Sequence, residues 1–392
     1  MQKVENAAME NSFHELPPLG LLVGCSRGVG VGIGLSDRLL HLYVVGQTGT
    51  GKSTLIKNLA EADAAEGRGF CVIDPHGDLA LGLSATVQRP LHFWNLADPN
   101  CGLGYNPIRP VQASLRPLVC SGLIEALRRQ WEDAWGARME HLLRYSILAL
   151  LEQPQADVRE VVRLLIERDF QKRVLHRISD PQVRYFWEVE YPLMNYKNAV
   201  DGVAPIANKL GAFLSHPVVR SAICEPAEPI RFRRLMDNGE ILIVNLAKGA
   251  IGGDIANVLG GLIVSAVMNA AFSRQSVAEG DRRPFMLYVD EFHSFTTTAF
   301  AGMLSEVRKY GVAITLAHQH TLQADRTVFE AIMGNVGSTL AFRVGALDAP
   351  VIAAQMQGVS PTDLIGLPNH HAYAQIMVSG ERSKPFSLVT RP

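Results

Sequence analysis

Cysteine is scarce: Cys25, Cys71, Cys101, Cys120 and Cys224 are scattered through 392 residues and form no C-x-x-C pair. That excludes a zinc ribbon or a disulfide framework and points to a reducing, cytoplasmic setting. An excess of one charge is also missing. With 37 Lys+Arg against 38 Asp+Glu, the formal net charge is −1, so nothing attracts nucleic acid or an anionic membrane in bulk, and any such binding must come from local basic patches. There is no long uninterrupted apolar run. The longest stretch, residues 258–272, is broken by Ser265 and Asn269 and is shorter than the ~20 residues of a membrane span, so a buried core helix is expected there and no integral membrane segment. The first residues carry Glu5, Glu10 and Glu15 without an apolar centre and do not read as a signal peptide. What remains is an ordinary globular composition, long enough for about two to three domains.

Against that plain background one stretch stands out. Gly46-Gln47-Thr48-Gly49-Thr50-Gly51-Lys52-Ser53-Thr54 follows the apolar run Leu42-Tyr43-Val44-Val45 and opens a helical pattern. This is a phosphate-binding loop. Its glycines let successive backbone N–H groups turn inward around phosphates, Lys52 can reach β- and γ-phosphate oxygens, and the Ser53 hydroxyl can ligate Mg²⁺. The helix that follows points the positive end of its dipole at the bound anion. The expected chemistry is nucleotide hydrolysis with ATP and Mg²⁺.

Residues 1–18 read as a tail ending in Pro17-Pro18, and residues 19–23 as a strand. The segment 28–34 alternates glycine with β-branched residues, does not satisfy G-x-G-x-x-G and precedes no helix; it reads as a Gly-rich hairpin with a turn at Ser36-Asp37, not a dinucleotide fingerprint. Beyond the loop, residues 54–66 present Leu55, Ile56, Leu59 and Ala60 on one helical face, and Gly67 and Gly69 stop the helix. The strand Phe70-Cys71-Val72-Ile73 then ends in Asp74-Pro75-His76-Gly77-Asp78. Two readings of that block stay open: polar groups around the metal, nucleotide or mechanical substrate, or a Pro-Gly turn with a helix cap at Asp78. Residues 91–95 read as a further strand.

From about residue 111 to 235 strands give way to helical periodicity, as in Leu142, Leu143, Ile147 and Leu150. This predicts an all-α domain inserted between a first α/β part, residues 19–110, and a second, residues 236–392. The insert carries Arg128-Arg129, Lys172-Arg173 and Arg233-Arg234 with Trp131, Trp135, Tyr185 and Trp187 nearby. Such residues suit bases and phosphates, and equally suit solvated helix faces over an aromatic core. The α/β pattern returns with a strand at 240–245 and an apolar helix at 255–272.

The strand Phe285-Met286-Leu287-Tyr288-Val289 runs directly into Asp290-Glu291, the pattern of a Walker B strand. Asp290 would hold Mg²⁺ and Glu291 would accept a proton from the attacking water. A helix from residue 300 leads to Arg308, and the next strand, 312–316, ends in Ala317-His318-Gln319-His320. Gln319, at the end of a strand beside the acidic pair, is placed to sense a γ-phosphate. His318 and His320 lack a third ligand at metal-binding spacing. Residues 334–343 supply another strand carrying Arg343, and a hairpin around Gly380 closes the chain.

Five motifs, the loop at 46–54, Asp74 to Asp78, Tyr288-Val289-Asp290-Glu291, Arg308-Lys309-Tyr310-Gly311 and Gln319, together with Phe342-Arg343-Val344-Gly345, occur in the order found in the HerA/FtsK superfamily of motor ATPases. The chain resembles that superfamily from about residue 19 onward, and its helical insertion resembles the conjugative coupling ATPases of type IV secretion. The resemblance implies a RecA-like P-loop NTPase core of mostly parallel sheet, interrupted by the all-α domain. It also implies a homo-hexameric ring that moves duplex or single-stranded DNA, with a relaxase, nuclease or secretion-channel protein as a further partner. Lys52 and Ser53 resemble the family's nucleotide and metal ligands, Asp290 and Glu291 its metal and water residues, and Gln319 its sensor. Arg308 resembles the arginine supplied to the neighbouring subunit, with Arg343 a second candidate. Neither the membrane anchor of coupling ATPases, nor a HerA-type β-barrel, nor FtsK's winged helix is expected in these residues. A secretion-type ATPase acting on protein and an ATP switch that scaffolds a nuclease or relaxase are the alternatives, and the expected location is the cytoplasm, free or peripheral at a membrane complex.

Overall fold

The computed structural model describes residues 21–26, 29–193, 202–296 and 298–391; the tail expected at 1–18 lies outside them. Eleven strands form the main sheet: β1 (Leu21–Ser26), β2 (Val29–Ile33), β3 (Leu42–Val45), β4 (Gly69–Asp74), β5 (Leu91–Asn95), β6 (Ile241–Asn245), β7 (Phe285–Val289), β8 (Val312–His318), β9 (Ser338–Ala341), β10 (His371–Gln375) and β11 (Phe386–Val389). Their order across the sheet is β2-β1-β11-β10-β9-β3-β8-β7-β4-β6-β5. The run from β9 to β5 is parallel throughout, and the run from β10 to β2 is antiparallel. The sheet is thus the expected α/β core, extended at one end by antiparallel strands from the two ends of the chain.

The parallel strands read as continuous apolar runs because both their faces are covered. Every residue of β3, β4, β6, β7 and β8 is buried. Alternation divides them between two cores. Leu42, Val44, Phe70, Val72, Ile243 and Tyr288 share one core with Leu55, Ile56 and Leu59 of helix α1 (Lys52–Ala65). Tyr43, Val45, Cys71, Ile73, Val244 and Val289 belong to the other. Helix α2 (Asp78–Thr86) lies on the α1 side through Leu79, Ala80 and Leu83.

The second core extends without a break into the helical insertion. Leu123 and Leu127 of helix α3 (Arg116–Gln130), Leu142 and Leu143 of helix α4 (Ala137–Leu150), and the buried face of helix α5 (Gly253–Phe272) all join it. The 253–276 stretch is long and apolar enough to cross a membrane by length and composition, and 67% of its 18-residue apolar window is buried inside this fold.

Some local expectations shift. The turn foreseen at Ser36-Asp37 is a short helix, Leu35–Arg38. The strand foreseen at 312–316 runs two residues further, to His318. A two-residue ladder, Leu103–Gly104 with Glu228–Pro229, pairs the two ends of the helical region. The closing hairpin forms as β10 and β11, with Ser379 and Gly380 at φ 52° and 85° and the Asp37 carboxylate accepting both their N–H groups at 2.9 Å.

A buried charge network ties helix α1 to the strand that carries the acidic pair. Arg38 Nη1 and Nη2 donate to the Asp63 carboxylate at 2.6 and 2.9 Å, Arg68 Nε donates at 2.6 Å and Tyr288 Oη at 2.5 Å. Burial opposes ionisation of Asp63, but the Arg38 guanidinium and the hydrogen bonds from Arg38, Tyr288 and Arg68 prevail and hold its carboxyl below the usual carboxylate value. Replacing Asp63 by Ala strands the buried Arg38 guanidinium without a carboxylate and is expected to cost about 3–5 kcal/mol in chemical denaturation. Because the native value is depressed, this contribution is complete above the ordinary carboxylate value near 4 and is lost as pH falls through the native one. The stability gap between wild type and Asp63→Ala should therefore narrow in acid.

Candidate active site

Seven parallel strands end at one edge, where open α/β sheets bind ligands. Along it, from β5 to β9, stand Asn95, Asn245, Asp74, Asp290, Gln319, Gly46 and Arg343. The ladder continues just past the strand ends. Gly46 N donates to His318 O at 3.3 Å, Asp290 N to Ile73 O at 3.1 Å, and Gln47 N to Arg343 O at 2.8 Å.

The loop after β3 has the geometry its glycines permit. Gly49 and Gly51 take φ 76° and 115°, a region that disfavours any side chain. A Cβ on Gly46 would stand 2.6 Å from Phe342 Cβ, so only glycine lets β9 pack this closely. Thr50 Oγ1 donates to Gln47 O at 2.7 Å inside the loop, and His370 N donates to Thr50 O at 2.8 Å from outside. Lys52 opens α1 and turns back over the loop, donating to Gly46 O at 2.7 Å and Gln47 O at 3.1 Å. Burial lowers its pKa, while Glu291 and Asp290 act in the opposite direction. Thr48, Gly49 and Ser53 are exposed and Thr54 is half-buried.

The acidic pair meets this loop directly. Ser53 Oγ donates to Asp290 Oδ2 at 3.0 Å, so both can reach one cation. Asp290 is buried, and burial, then Glu291, then Asp74 push its carboxyl up to about 6. Glu291 sits at φ 48°, a left-handed conformation that turns its side chain out of the strand direction. Gln319 Nε2 donates to Glu291 Oε1 at 2.8 Å, while Gln319 Oε1 accepts from Thr48 Oγ1 at 2.8 Å. Gln319 therefore spans loop and acid. On the far side of Glu291, His293 Nδ1 lies 3.4 Å from Oε2. Burial, then the charges of Arg129 and Lys248, lower the His293 pKa to about 4, which leaves it neutral near pH 7.

The two candidate arginines occupy opposite edges. Arg343 follows β9 and lies beside its own loop, donating to Gln47 Oε1 at 3.3 Å, Leu367 O at 3.1 Å and Asn369 Oδ1 at 3.1 Å. Arg308 precedes β8, in the turn Arg308–Tyr310, and is exposed. Its charge acts on buried His41, just before β3. It is therefore at the amino edge, a full strand length from the loop of its own chain.

The block after β4 resolves into a cap, with one change of residue. Asp74, not Asp78, does the capping: its carboxylate accepts from His76 N and Ala80 N, each at 2.9 Å. Asp78 and His76 are exposed. Elsewhere at the edge the sequence reading left three groups out. Tyr43 Oη bonds His318 Nε2 at 2.5 Å, turning that histidine into the core. Asp348 is buried and accepts from Thr321 N and Oγ1 at 2.8 and 2.6 Å, with His320 Nδ1 at 3.1 Å. His370 bears on the loop at Gly51. None carries a short sequence signal; Asp348 and His370 are single polar residues brought in from distant segments.

In the insertion, Trp131 and Trp187 are buried, Arg128 pairs with Glu140 at 3.8 Å, Lys172 with Asp169 at 3.7 Å and Arg233 with Asp237 at 2.5 Å. Arg129 donates to the His293 carbonyl. Trp131 and Trp187 are thus committed to the core, while Arg128 and Lys172 pair at the surface and Tyr185 stays exposed.

The sequence pattern of the helicase HerA central domain matches residues 18–96. No curated sequence matches the chain. Among solved structures, the plasmid coupling protein TrwB in complex with the GTP analogue GDPNP is similar over 98% of this chain and 92% of its own, at 19% identity and TM-score 0.70. Unbound bacterial conjugative coupling protein TrwB is similar over 98% and 91%, at 16% identity and TM-score 0.68. VirB4 of Thermoanaerobacter pseudethanolicus is similar over 96% and 97%, at 14% identity and TM-score 0.66. TrwB has also been seen with ADP and Mg²⁺. With its phosphate-binding loop, its acidic pair and this likeness over nearly the whole chain, the protein has the fold of the HerA/FtsK-type P-loop ATPases, in the layout of the conjugative coupling proteins.

Proposed function

We propose that the chain is an ATP hydrolase that assembles into a ring and couples turnover to the movement of DNA. The observation that carries the reading is the span Thr48–Gln319–Glu291 alongside the Ser53–Asp290 contact. It joins a phosphate loop, a sensing amide and a carboxylate base in one cluster, as hydrolysis of a γ-phosphate requires.

The residues fit a Mg²⁺–nucleotide. Backbone N–H groups of the loop would face the phosphates, and Lys52, which donates to the Gly46 and Gln47 carbonyls, would exchange these for phosphate oxygens. Ser53 and Asp290 would hold the cation, which would supply neutralisation of phosphate charge. Glu291 accepts the proton of the attacking water, and its bond to Gln319 sets the direction of the receiving oxygen. Because Gln319 also touches Thr48, a change at the phosphate end of the loop reaches the base through one amide. Arg343, on the loop of its own chain, orients Gln47. Arg308, exposed at the opposite edge, is free to act on a neighbour's nucleotide in the ring. Such a finger makes hydrolysis depend on assembly.

A second reading, movement of protein instead of DNA, is favoured by the formal net charge of −1 and by the ion pairing that consumes several of the insert's basic residues. ATP turnover on the size-fractionated oligomer, with and without duplex and single-stranded DNA, separates the two. Stimulation by DNA supports the first; DNA-independent turnover raised by a secretion or relaxase partner supports the second.

Glu291→Gln is expected to lower kcat by about 10²–10⁴-fold while nucleotide affinity holds, because it removes only the proton acceptor. Lys52→Ala is expected to lose nucleotide binding itself; steady-state turnover and equilibrium titration distinguish the two. Mixing Arg308→Ala subunits with Glu291→Gln subunits should restore part of the turnover, since one class of interface then holds both intact groups; no recovery in verified mixed rings assigns Arg308 elsewhere. The raised Asp290 pKa also sets a pH dependence. Below about 6 the carboxyl holds a proton that the cation must displace, so calorimetric Mg²⁺ affinity should fall roughly tenfold per pH unit and level off above that value.

A further inference from the structure

We infer that Arg129 is a positioning residue through which the helical insertion sets the geometry of Glu291. The inference rests on the hydrolase reading above and concerns the regulation of that same site.

Arg129 lies in the last turn of α3, on the insertion, yet its guanidinium donates to the backbone carbonyl of His293, two residues beyond the base. That carbonyl belongs to the turn Phe292–Ser294, which begins immediately after Glu291 at its left-handed φ. The turn is held from three directions. Gln319 holds the Glu291 side chain at 2.8 Å, and Ser294 N donates back to Glu291 O at 2.9 Å. Phe295 presses its ring on Gly260 of α5, where no side chain would fit. Arg129 is the contribution of the insertion.

The helices that carry these groups touch through glycine. Gly122 of α3 meets Ser265 of α5, and Gly261 of α5 faces Ala126, where an added Cβ would stand 3.5 Å away. A small cleft beside this crossing is lined by Ala126, Arg129, Asn257, Gly261 and Phe295, and Asn257 Oδ1 is buried there without a hydrogen-bond partner among the described residues. Gly122 and Gly261 let α3 and α5 approach this closely, so a small shift of α3 would be passed across the contact rather than absorbed in it. Such a shift would draw Arg129, the His293 carbonyl and the backbone of Glu291 with it. An insertion that meets the transported polymer then reports to the base without any change at the phosphate loop. A misplacement of about 1 Å at a catalytic group is enough for a large loss of rate.

The test uses the full-length chain as wild type, Arg129→Ala, Arg129→Lys and Lys52→Ala, each checked for folding by its thermal midpoint. Arg129→Ala is expected to lower kcat roughly tenfold or more, with nucleotide affinity within about twofold of wild type and with loss of stimulation by DNA. Arg129→Lys, which keeps a cationic donor for the carbonyl, should recover part of the rate. Backbone amide exchange at residues 291–296 should quicken in Arg129→Ala and not in Lys52→Ala. Unchanged kcat in Arg129→Ala, or a loss confined to nucleotide affinity, overturns the inference. If wild type itself shows no turnover, the hydrolase reading fails, and amide exchange still decides whether Arg129 holds the turn. Should Arg129→Ala not fold, Arg129→Lys carries both measurements, and wild-type rate with wild-type exchange in it overturns the inference.

Discussion

The site depends on the order in which parallel strands lie side by side. β3 delivers the phosphate loop and β7 delivers Asp290 and Glu291, but β8 stands between them. Neighbouring strands are spaced by about 4.8 Å, so loop and acid are separated by about 10 Å at the backbone. Two devices close that gap. Helix α1 leans over the edge and brings Ser53 to Asp290. The intervening strand supplies Gln319 at its own end, where the amide can touch both sides. Without β8 in the middle there would be no group with simultaneous access to Thr48 and Glu291.

That arrangement concentrates charge. Asp74, Asp290 and Glu291 lie on adjacent strand ends beside Lys52, and burial, then Glu291 and Asp74, hold the Asp290 proton up to about 6. Asp74 accepts two backbone N–H groups from the turn it caps. The strand-end carboxylates are therefore not equivalent: Asp74 accepts from the turn it caps, Asp290 meets the Ser53 hydroxyl, and Glu291 is held at one oxygen by the Gln319 amide with His293 Nδ1 3.4 Å from the other. On the proposed reading, a cation at Asp290 would relieve the crowding, and its binding would compete with protonation.

Much of this was legible in the sequence because it is local. The phosphate loop needs its glycines and its lysine within a few residues, and the acidic pair must follow an apolar strand, so both appear as short patterns. Gln319 was legible by position, as the residue leaving the strand next to the acids. Even the separation of the two arginines is implicit in chain direction: in a parallel sheet Arg308, before β8, and Arg343, after β9, must emerge at opposite edges. What could not be read are contacts that depend on how helices cross. Asp74 takes the cap because the turn at Gly77 curls back over it, and His370 reaches Gly51 only because the antiparallel extension folds beside β9. The ring of Trp131 and the guanidinium of Arg129, two positions apart, meet opposite fates, one in the core and one on the carbonyl of His293, and no periodicity distinguishes them.

The insertion is a separate stretch in sequence and not a separate body in packing. Its apolar side shares one core with Ile73 of β4 and Val289 of β7, the residues that immediately precede Asp74 and Asp290. Close-packed interiors do not deform continuously, so an insertion anchored this way cannot swing freely without disturbing the strands that carry the site. The crossing of α3 and α5, where Gly122 and Gly261 let the two helices approach closely, lies beside the turn that follows Glu291. On the proposed reading, the packing that holds the insertion rigidly against the sheet would carry a displacement of the insertion to Glu291 through the Arg129 contact. A stiff connection of this kind is what would let load on the insertion alter the chemistry at the strand ends.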